Sequence, residues 1–197
     1  MTSQALVDWH GRRARAIDDL LTAHDRLRTG LPGRQTLTVQ INFALITGLS
    51  SEFQGFARQL HDESIYAFVN ATTVPDPTIR QVVRSQFASG RSLDRQNPTP
   101  SALGSDYKAF GLILWDSLEA MYGKAKREHW NTQLTRLNDA RNAIAHNDEK
   151  KLAEVRAVQP LDLVHARKWR TMLNAITIGI DSVVTVHLSK LMGHAPW

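Results

Sequence analysis

Two long stretches of the chain repeat apolar residues at intervals of three and four, and this spacing restricts the fold more than any other feature. One covers residues 37–70, and the other covers some thirty residues that begin at Pro160. Such intervals place side chains on one face of an α-helix, whereas a half-buried strand alternates every second residue. No alternating pattern persists for more than a few residues. The sequence therefore predicts an all-α fold, an up-and-down bundle of about five helices.

Residues that begin and end helices divide the rest of the chain. The first helix is predicted over residues 4–29, where Gly30 ends it. Asp76 followed by Pro77 predicts the start of a short helix. Residues 89–105 are polar and contain Pro and Gly, so a loop is predicted there that is a candidate for mobility, in which Thr99-Pro100 could start one helical turn.

The second half of the chain has a similar pattern. A helix is predicted to start at a cap formed by Ser105 or Asp106, and residues 149–159 (EKKLAEVRAVQ) are predicted to be a charged connector. A final helix of about thirty residues would be ~45 Å long, so it is expected to bend near Gly179 or to extend into a partner subunit. We expect one domain over residues 1–197, and the sequence leaves open whether the N-terminal helix (residues 1–30) is peripheral.

Composition excludes several functional classes. The chain has no cysteine, which excludes disulfides and thiolate metal sites. No apolar run approaches the ~18 residues of a membrane span, and the start of the chain lacks the apolar region of a signal peptide. Glycine-rich phosphate loops and the common metal motifs are absent, and the His61-Asp62-Glu63 cluster is interpreted as surface. We therefore expect a cytoplasmic protein with no membrane contact, no metal and no cofactor.

The chain is basic, with a formal net charge of +5 and a pI near 9.8. Such a balance suits a polyanionic partner such as nucleic acid. Most of the basic residues are scattered, however, and solvated helix faces explain them equally well.

Side chains that can take part in catalysis are most concentrated in residues 137–148, LNDARNAIAHND, where Arg141, Asn142 and His146 fall within six residues. On a helical wheel of ~100° per residue, Arg141 lies on the apolar side beside Leu134. Asn142 and His146 lie four residues apart on a neighbouring polar face. Arg141 and His146 would be ~140° apart on an ideal helix, so they converge only if the arginine reaches around or the helix unwinds at His146.

An arginine on an apolar stripe needs an explanation, because a guanidinium is rarely buried unpaired. One explanation is a buried ion pair with Glu52, Asp116 or Asp139. The other is that this part of the stripe faces a cleft or a subunit interface. Taken alone, His146 is typical of a helix-end histidine that interacts with the terminal carbonyl groups.

The string RNAIAH, which runs from Arg141 to His146, resembles the signature of the HEPN superfamily: an Arg, a polar neighbour and a His four to six residues after the Arg. The wider context is LTRLNDARNAIAHND, with a basic, Pro-containing loop and a long amphipathic helix upstream. It looks most like the RiboL-PSP and MAE-type branch. About a dozen residues carry the specific similarity. Two positions depart from relatives: Asn147 replaces a common glycine, and Asp148 replaces the tyrosine that is modified in some toxins.

The resemblance implies a metal-independent endoribonuclease that works as a homodimer with one composite site. Arg141 and His146 would be the catalytic pair and Asn142 the orienting group. Histidine transfers protons near neutrality, and the arginine fork fits phosphate oxygens. The resemblance also implies a toxin or antiviral defence role, with an antitoxin or defence-system protein as partner.

Four basic residues just before the motif are predicted to contact RNA phosphates: Lys124, Lys126, Arg127 and Arg136. Solvated helix surface is the competing interpretation for each of them. The alternative function for the whole chain is a non-catalytic helical module for dimerisation or RNA binding, which keeps the motif as a structural network.

Overall fold

A computed structural model describes residues 1–27, 35–72 and 76–197, and these residues form eight α-helices and no strand. The first helix, α1, has two α-helical parts, Gln4–Asp8 and Ala14–Leu27, which are joined by a π-helical turn at Trp9–Arg13. The other helices are α2, Gln35–Ala71; α3, Pro77–Ala88; α4, Pro100–Lys108; α5, Leu114–Tyr122; α6, Lys124–Ala145; α7, Glu149–Val158; and α8, Leu163–Met192. The all-α prediction is confirmed, but the predicted number of about five helices is wrong. The predicted end of the first helix, at residues 29 and 30, lies outside the described residues.

The first additional helix is α7, where a charged connector was predicted. The side chain of Asp148 accepts a hydrogen bond of 3.1 Å from the Lys151 backbone N–H and so caps the start of α7. Leu152 is the one fully buried side chain of this helix, so its apolar stripe is too short to be recognised as a pattern.

The second difference lies between residues 99 and 122, where one predicted helix is replaced by two. Thr99 caps α4 by accepting a hydrogen bond from the Ala102 N–H. Asp106, predicted as a cap, lies inside α4 and is buried, and it accepts hydrogen bonds from the backbone N–H groups of Ser92 and Leu93. The chain then turns through Gly111, whose φ is 72°, before α5 begins.

The core lies between α2 and α8, with α6 packed against both. The largest fully buried side chains include Phe53 and Phe56 of α2, Trp169 of α8 and Trp130 of α6. Gly179 allows α8 to approach α6, because a Cβ built there would lie 3.0 Å from the Trp130 ring. α6 is therefore held along its length, and its C-terminal end, which carries the motif, has a fixed position on the bundle.

The N-terminal helix contributes to the same core. The Trp9 ring packs edge-on against Phe53 and Phe56, and its indole N–H donates to the side chain of Asn174 in α8. Arg13 forms an ion pair of 2.9 Å with Glu52.

α8 is long and apolar enough to cross a membrane, judged by length and composition alone. Of its most apolar window, 56% is buried inside the bundle. A core helix meets the same criteria, so this helix is weak evidence for a membrane span.

Candidate functional site

The motif lies where α6 ends. The last α-helical residue is Ala145, and the backbone N–H of His146 closes the final turn on the carbonyl of Asn142. Asn147 has a φ of 48°, the left-handed conformation that asparagine tolerates at a helix end. The helix therefore stops at His146. An end of the helix at this residue is one of the two ways in which His146 and Arg141 can come close together.

Arg141, Asn142 and His146 line one open surface pocket of about 540 Å³. Arg141 and Asn142 are half-buried, and His146 is exposed. Nη1 of Arg141 donates a hydrogen bond of 3.3 Å to Oδ1 of Asn142. The structure thus brings the three predicted catalytic residues together around one space.

Arg141 has no carboxylate ion pair within the described part of the chain. Of the three predicted partners, Glu52 pairs with Arg13, whereas Asp116 and Asp139 are exposed and form no ion pair among the described residues. The arginine interrupts the apolar stripe because this part of α6 faces a cleft, which was the second of the two explanations.

The opposite wall of the pocket is the segment 94–99, which precedes α4. Nδ2 of Asn97 donates a hydrogen bond of 2.6 Å to Oδ1 of Asn142. One turn earlier in α6, the buried Asn138 donates to the Pro98 carbonyl at 3.1 Å and accepts from the Ser50 hydroxyl at 3.2 Å. Two side chains of α6 thus fix the position of this wall.

Gln54 of α2 and Arg91, at the start of the loop, also hold this segment. Nε2 of Gln54 donates to the backbone carbonyls of Leu93 and Gln96, at 2.6 and 2.9 Å. Arg91 is buried and donates to both carboxylate oxygens of Asp94. The loop that was a candidate for mobility is therefore attached to α2 and α6 in the structure.

The pocket carries positive charge. Arg95, an exposed residue of the loop, lines it and has no carboxylate partner among the described residues. Burial raises the pKa of Asp94, but hydrogen bonds and charge from Arg91, with Arg58 nearby, hold that pKa below its ordinary value of 3.8. The one carboxylate of the pocket is thus ionised and neutralised by other arginines, which leaves Arg95 and Arg141 to meet an anion.

The four predicted phosphate contacts do not reach this pocket. Lys124 lies 3.9 Å from Glu128, and Arg127 pairs with Glu119 at 2.8 Å. Lys126 and Arg136 line another pocket, which lies between α6 and α8. Across residues 1–27, 35–72 and 76–197, no three His, Asp or Glu side chains form a group that could hold a metal ion.

Sequence reasoning missed Gln54, Arg95 and Asn97. Each belongs to the pocket through tertiary packing, with a separation from Arg141 of more than forty residues. The only local indication was the polar composition of the loop. The chain matches no family model, no curated protein and no solved structure.

Proposed function

We propose that this protein is a metal-independent endoribonuclease of the HEPN type, which cleaves RNA through attack of the 2′-hydroxyl on the adjacent phosphate. The observation that supports the proposal most is that Arg141, Asn142 and His146 line one open pocket at the end of α6. A buried structural arginine is normally paired with a carboxylate. Arg141 has no such partner among the described residues, so its guanidinium is available to a phosphate.

Each residue has a chemical task in this reaction. His146 takes the proton of the 2′-hydroxyl, and the resulting oxygen attacks phosphorus while the bond to the 5′-oxygen breaks. The products are a 2′,3′-cyclic phosphate and a 5′-hydroxyl, and the leaving oxygen takes up one proton. Arg141 stabilises the negative charge on the phosphorane oxygens, because its fixed fork of N–H groups matches them. Asn142 holds the guanidinium through its Oδ1.

One chain supplies one histidine to the pocket. The attacking and leaving oxygens of a phosphoryl displacement lie roughly in line on opposite sides of phosphorus. A single imidazole therefore reaches one of them, and the other proton transfer needs a second group. A homodimer that joins two copies of the end of α6 would supply His146 twice, so we include a composite dimeric site in the proposal.

The biological role and setting follow from the resemblance. The protein would act in the cytoplasm as a toxin or antiviral defence effector, with RNA as substrate and an antitoxin or defence-system protein as partner.

A non-catalytic helical module for dimerisation or RNA binding is the second candidate. It is favoured by the hydrogen bonds that Asn142 accepts from both Asn97 and Arg141. These contacts join the loop to α6 and would do so without any reaction.

Metal-free cleavage separates the two candidates. Wild type, Arg141→Ala and His146→Ala are incubated with structured RNA in EDTA, with His10→Ala as a control because His10 is an exposed histidine of α1. We expect wild type and the control to cleave, and each motif variant to lose ~10²–10⁴-fold in rate. Cleavage by the motif variants at the wild-type rate, or an inert wild type, would overturn the catalytic assignment.

The composite site is tested by mixing the two inactive variants. A mixed dimer of Arg141→Ala and His146→Ala contains one arginine and one histidine in the shared site. It keeps the phosphate-binding cation and one of the two proton transfers, so we expect it to be more active than either variant alone and less active than wild type. If the mixture stays as inactive as each variant alone although mixed dimers form, the two chains do not share a site.

A further inference from the structure

The pocket at the motif is one end of a longer groove along α6. Asn142 lines both this pocket and the next one, which lies between α6 and α7. That second pocket shares Arg136, Val158 and Gln159 with a third, which lies between α6 and α8. Each pocket shares lining residues with the next, so the three follow one another on the surface of α6. We refer to this series of pockets as the groove.

The far end of the groove is strongly cationic. Lys126 and Arg136 of α6 face Arg167 and Lys168 of α8 there, and none of the described residues that line this end is a carboxylate. Arg167 lies 3.6 Å from Asp25, whereas the other three cations have no ion pair among the described residues. Lys126 lies 5.3 Å from the centres of the Tyr122 and Trp130 rings, which hold its ammonium at the wall.

The middle of the groove differs from both ends. Its charged residues are Arg136 and Lys151, opposed by Asp139 and Glu154. Positive and negative side chains balance here, so a polyanion gains little electrostatic free energy along this section. Attraction is concentrated at the motif and at the cationic end.

We propose that the groove binds a single strand of RNA at two points: the phosphate to be cleaved at Arg141, and phosphates on one side of it at Lys126 and Lys168. This inference rests on the proposed function. Lys126 and Arg141 are separated along α6 by ~22 Å at ~1.5 Å per residue. At ~3.4 Å per stacked nucleotide, the strand must extend about six or seven nucleotides beyond the cut to reach the second point.

Length-dependent binding tests this geometry without requiring catalysis. The dissociation constants of 2′-O-methyl oligonucleotides of four, six, nine and twelve nucleotides, which cannot be cleaved, are measured with the full chain. We expect affinity to rise at least tenfold between four and nine nucleotides and little thereafter. Lys126→Gln/Lys168→Gln should remove this gain and weaken binding of the tetramer much less than that of the nonamer, because the tetramer can still bind at Arg141.

The matched control is Lys108→Gln/Lys190→Gln, which removes the same charge from two exposed lysines outside the groove. It should keep the length-dependent gain. The groove variant should also reduce the slope of log affinity against log salt by about 1.4 for the nonamer, since each lost single-strand phosphate contact contributes ~0.7.

The results of this experiment distinguish a failure of the proposed groove from a failure of the proposed reaction. Equal affinity for four and nine nucleotides, or loss of the gain in the control as well, would overturn the two-point groove even if the protein cleaves RNA. A length-dependent gain that only the groove variant removes would support the groove even if wild type proves inert, and in that case the proposed reaction alone would fail.

Discussion

Nδ2 of Asn97 donates a hydrogen bond of 2.6 Å to Oδ1 of Asn142, and this contact joins the loop before α4 to the motif helix. The same Oδ1 accepts a hydrogen bond from the guanidinium of Arg141. The amide of Asn142 is thus held from the loop side while it positions the arginine from the helix side. Asn97 is therefore a positioning residue for the proposed reaction, acting on Arg141 through Asn142.

Asn97→Ala is expected to lower kcat about tenfold with little change in KM, because a small misplacement of Arg141 acts mainly on the charge that develops in the transition state. The loss of one hydrogen bond should reduce the free energy of unfolding by only ~1 kcal/mol. The measurements are steady-state cleavage kinetics and urea unfolding.

The control for this variant is Gln81→Ala, since Gln81 is an exposed amide residue of α3 that does not line the pocket. It should leave kcat unchanged. If Asn97→Ala cleaves RNA as fast as wild type, the loop has no role in positioning the arginine.

The long helices were predictable because burial repeats along them. The stripe in residues 37–70 corresponds to Gln35–Ala71, and the stripe that begins at Pro160 corresponds to Leu163–Met192. Each helix buries a face over many turns, so the apolar period persists long enough to be recognised.

The short helix α7 and the burial of His61 could not be predicted from the spacing of apolar residues. α7 was missed because its start is marked by the Asp148 side chain rather than by a repeated apolar spacing. His61 was placed on the surface because its neighbours are charged. In the structure it is buried against the rings of Tyr107 and Phe110, and its Nε2 donates a hydrogen bond of 3.2 Å to the Asp106 carbonyl.

The candidate site was predictable in its central residues and not in its surroundings. A six-residue string identified Arg141, Asn142 and His146. Asn97 and Arg95 come from a distant loop whose path is set by Gln54 and Asn138, and no local spacing encodes that path.

A buried carboxylate should make stability depend on pH. Asp181 of α8 is buried, and its Oδ1 accepts a hydrogen bond from the Ser3 N–H. Burial raises the pKa of Asp181 above its ordinary value of 3.8, although the contact with Ser3 opposes the shift. The folded protein therefore holds this proton more tightly than the unfolded chain does, so the contribution of Asp181 to stability falls as the pH rises from about 3.8 through the raised pKa.

Asp181→Asn removes this ionisation and keeps an oxygen for the Ser3 N–H. We expect the variant to melt at a higher temperature than wild type at pH 7, with a difference that shrinks as the pH approaches 3.8. Thermal unfolding is measured at several pH values, with the exposed Asp139→Asn as control. A difference in Tm that stays constant with pH would show that the ionisation of Asp181 does not matter for stability.

Two helical glycines should respond in opposite directions to the same substitution. Alanine favours a helix over glycine by ~1 kcal/mol. At Gly48 of α2, the nearest atoms to an added Cβ are side-chain carbons of Ile17 and Leu20 at 3.5 and 3.6 Å, which is ordinary contact. At Gly179 of α8, the Cβ would lie 3.0 Å from the ring of Trp130, which is fully buried and has little space around it.

Gly48→Ala is therefore expected to raise the free energy of unfolding by ~0.5–1 kcal/mol. Gly179→Ala should lower it by ~1 kcal/mol, because overpacking typically costs ~1–3 kcal/mol and exceeds the gain in helix propensity. Urea unfolding of the two variants beside wild type measures both effects. If Gly179→Ala stabilises the protein as much as Gly48→Ala does, α6 and α8 do not approach as closely as the structure places them, and the cationic end of the groove between them would have a different width.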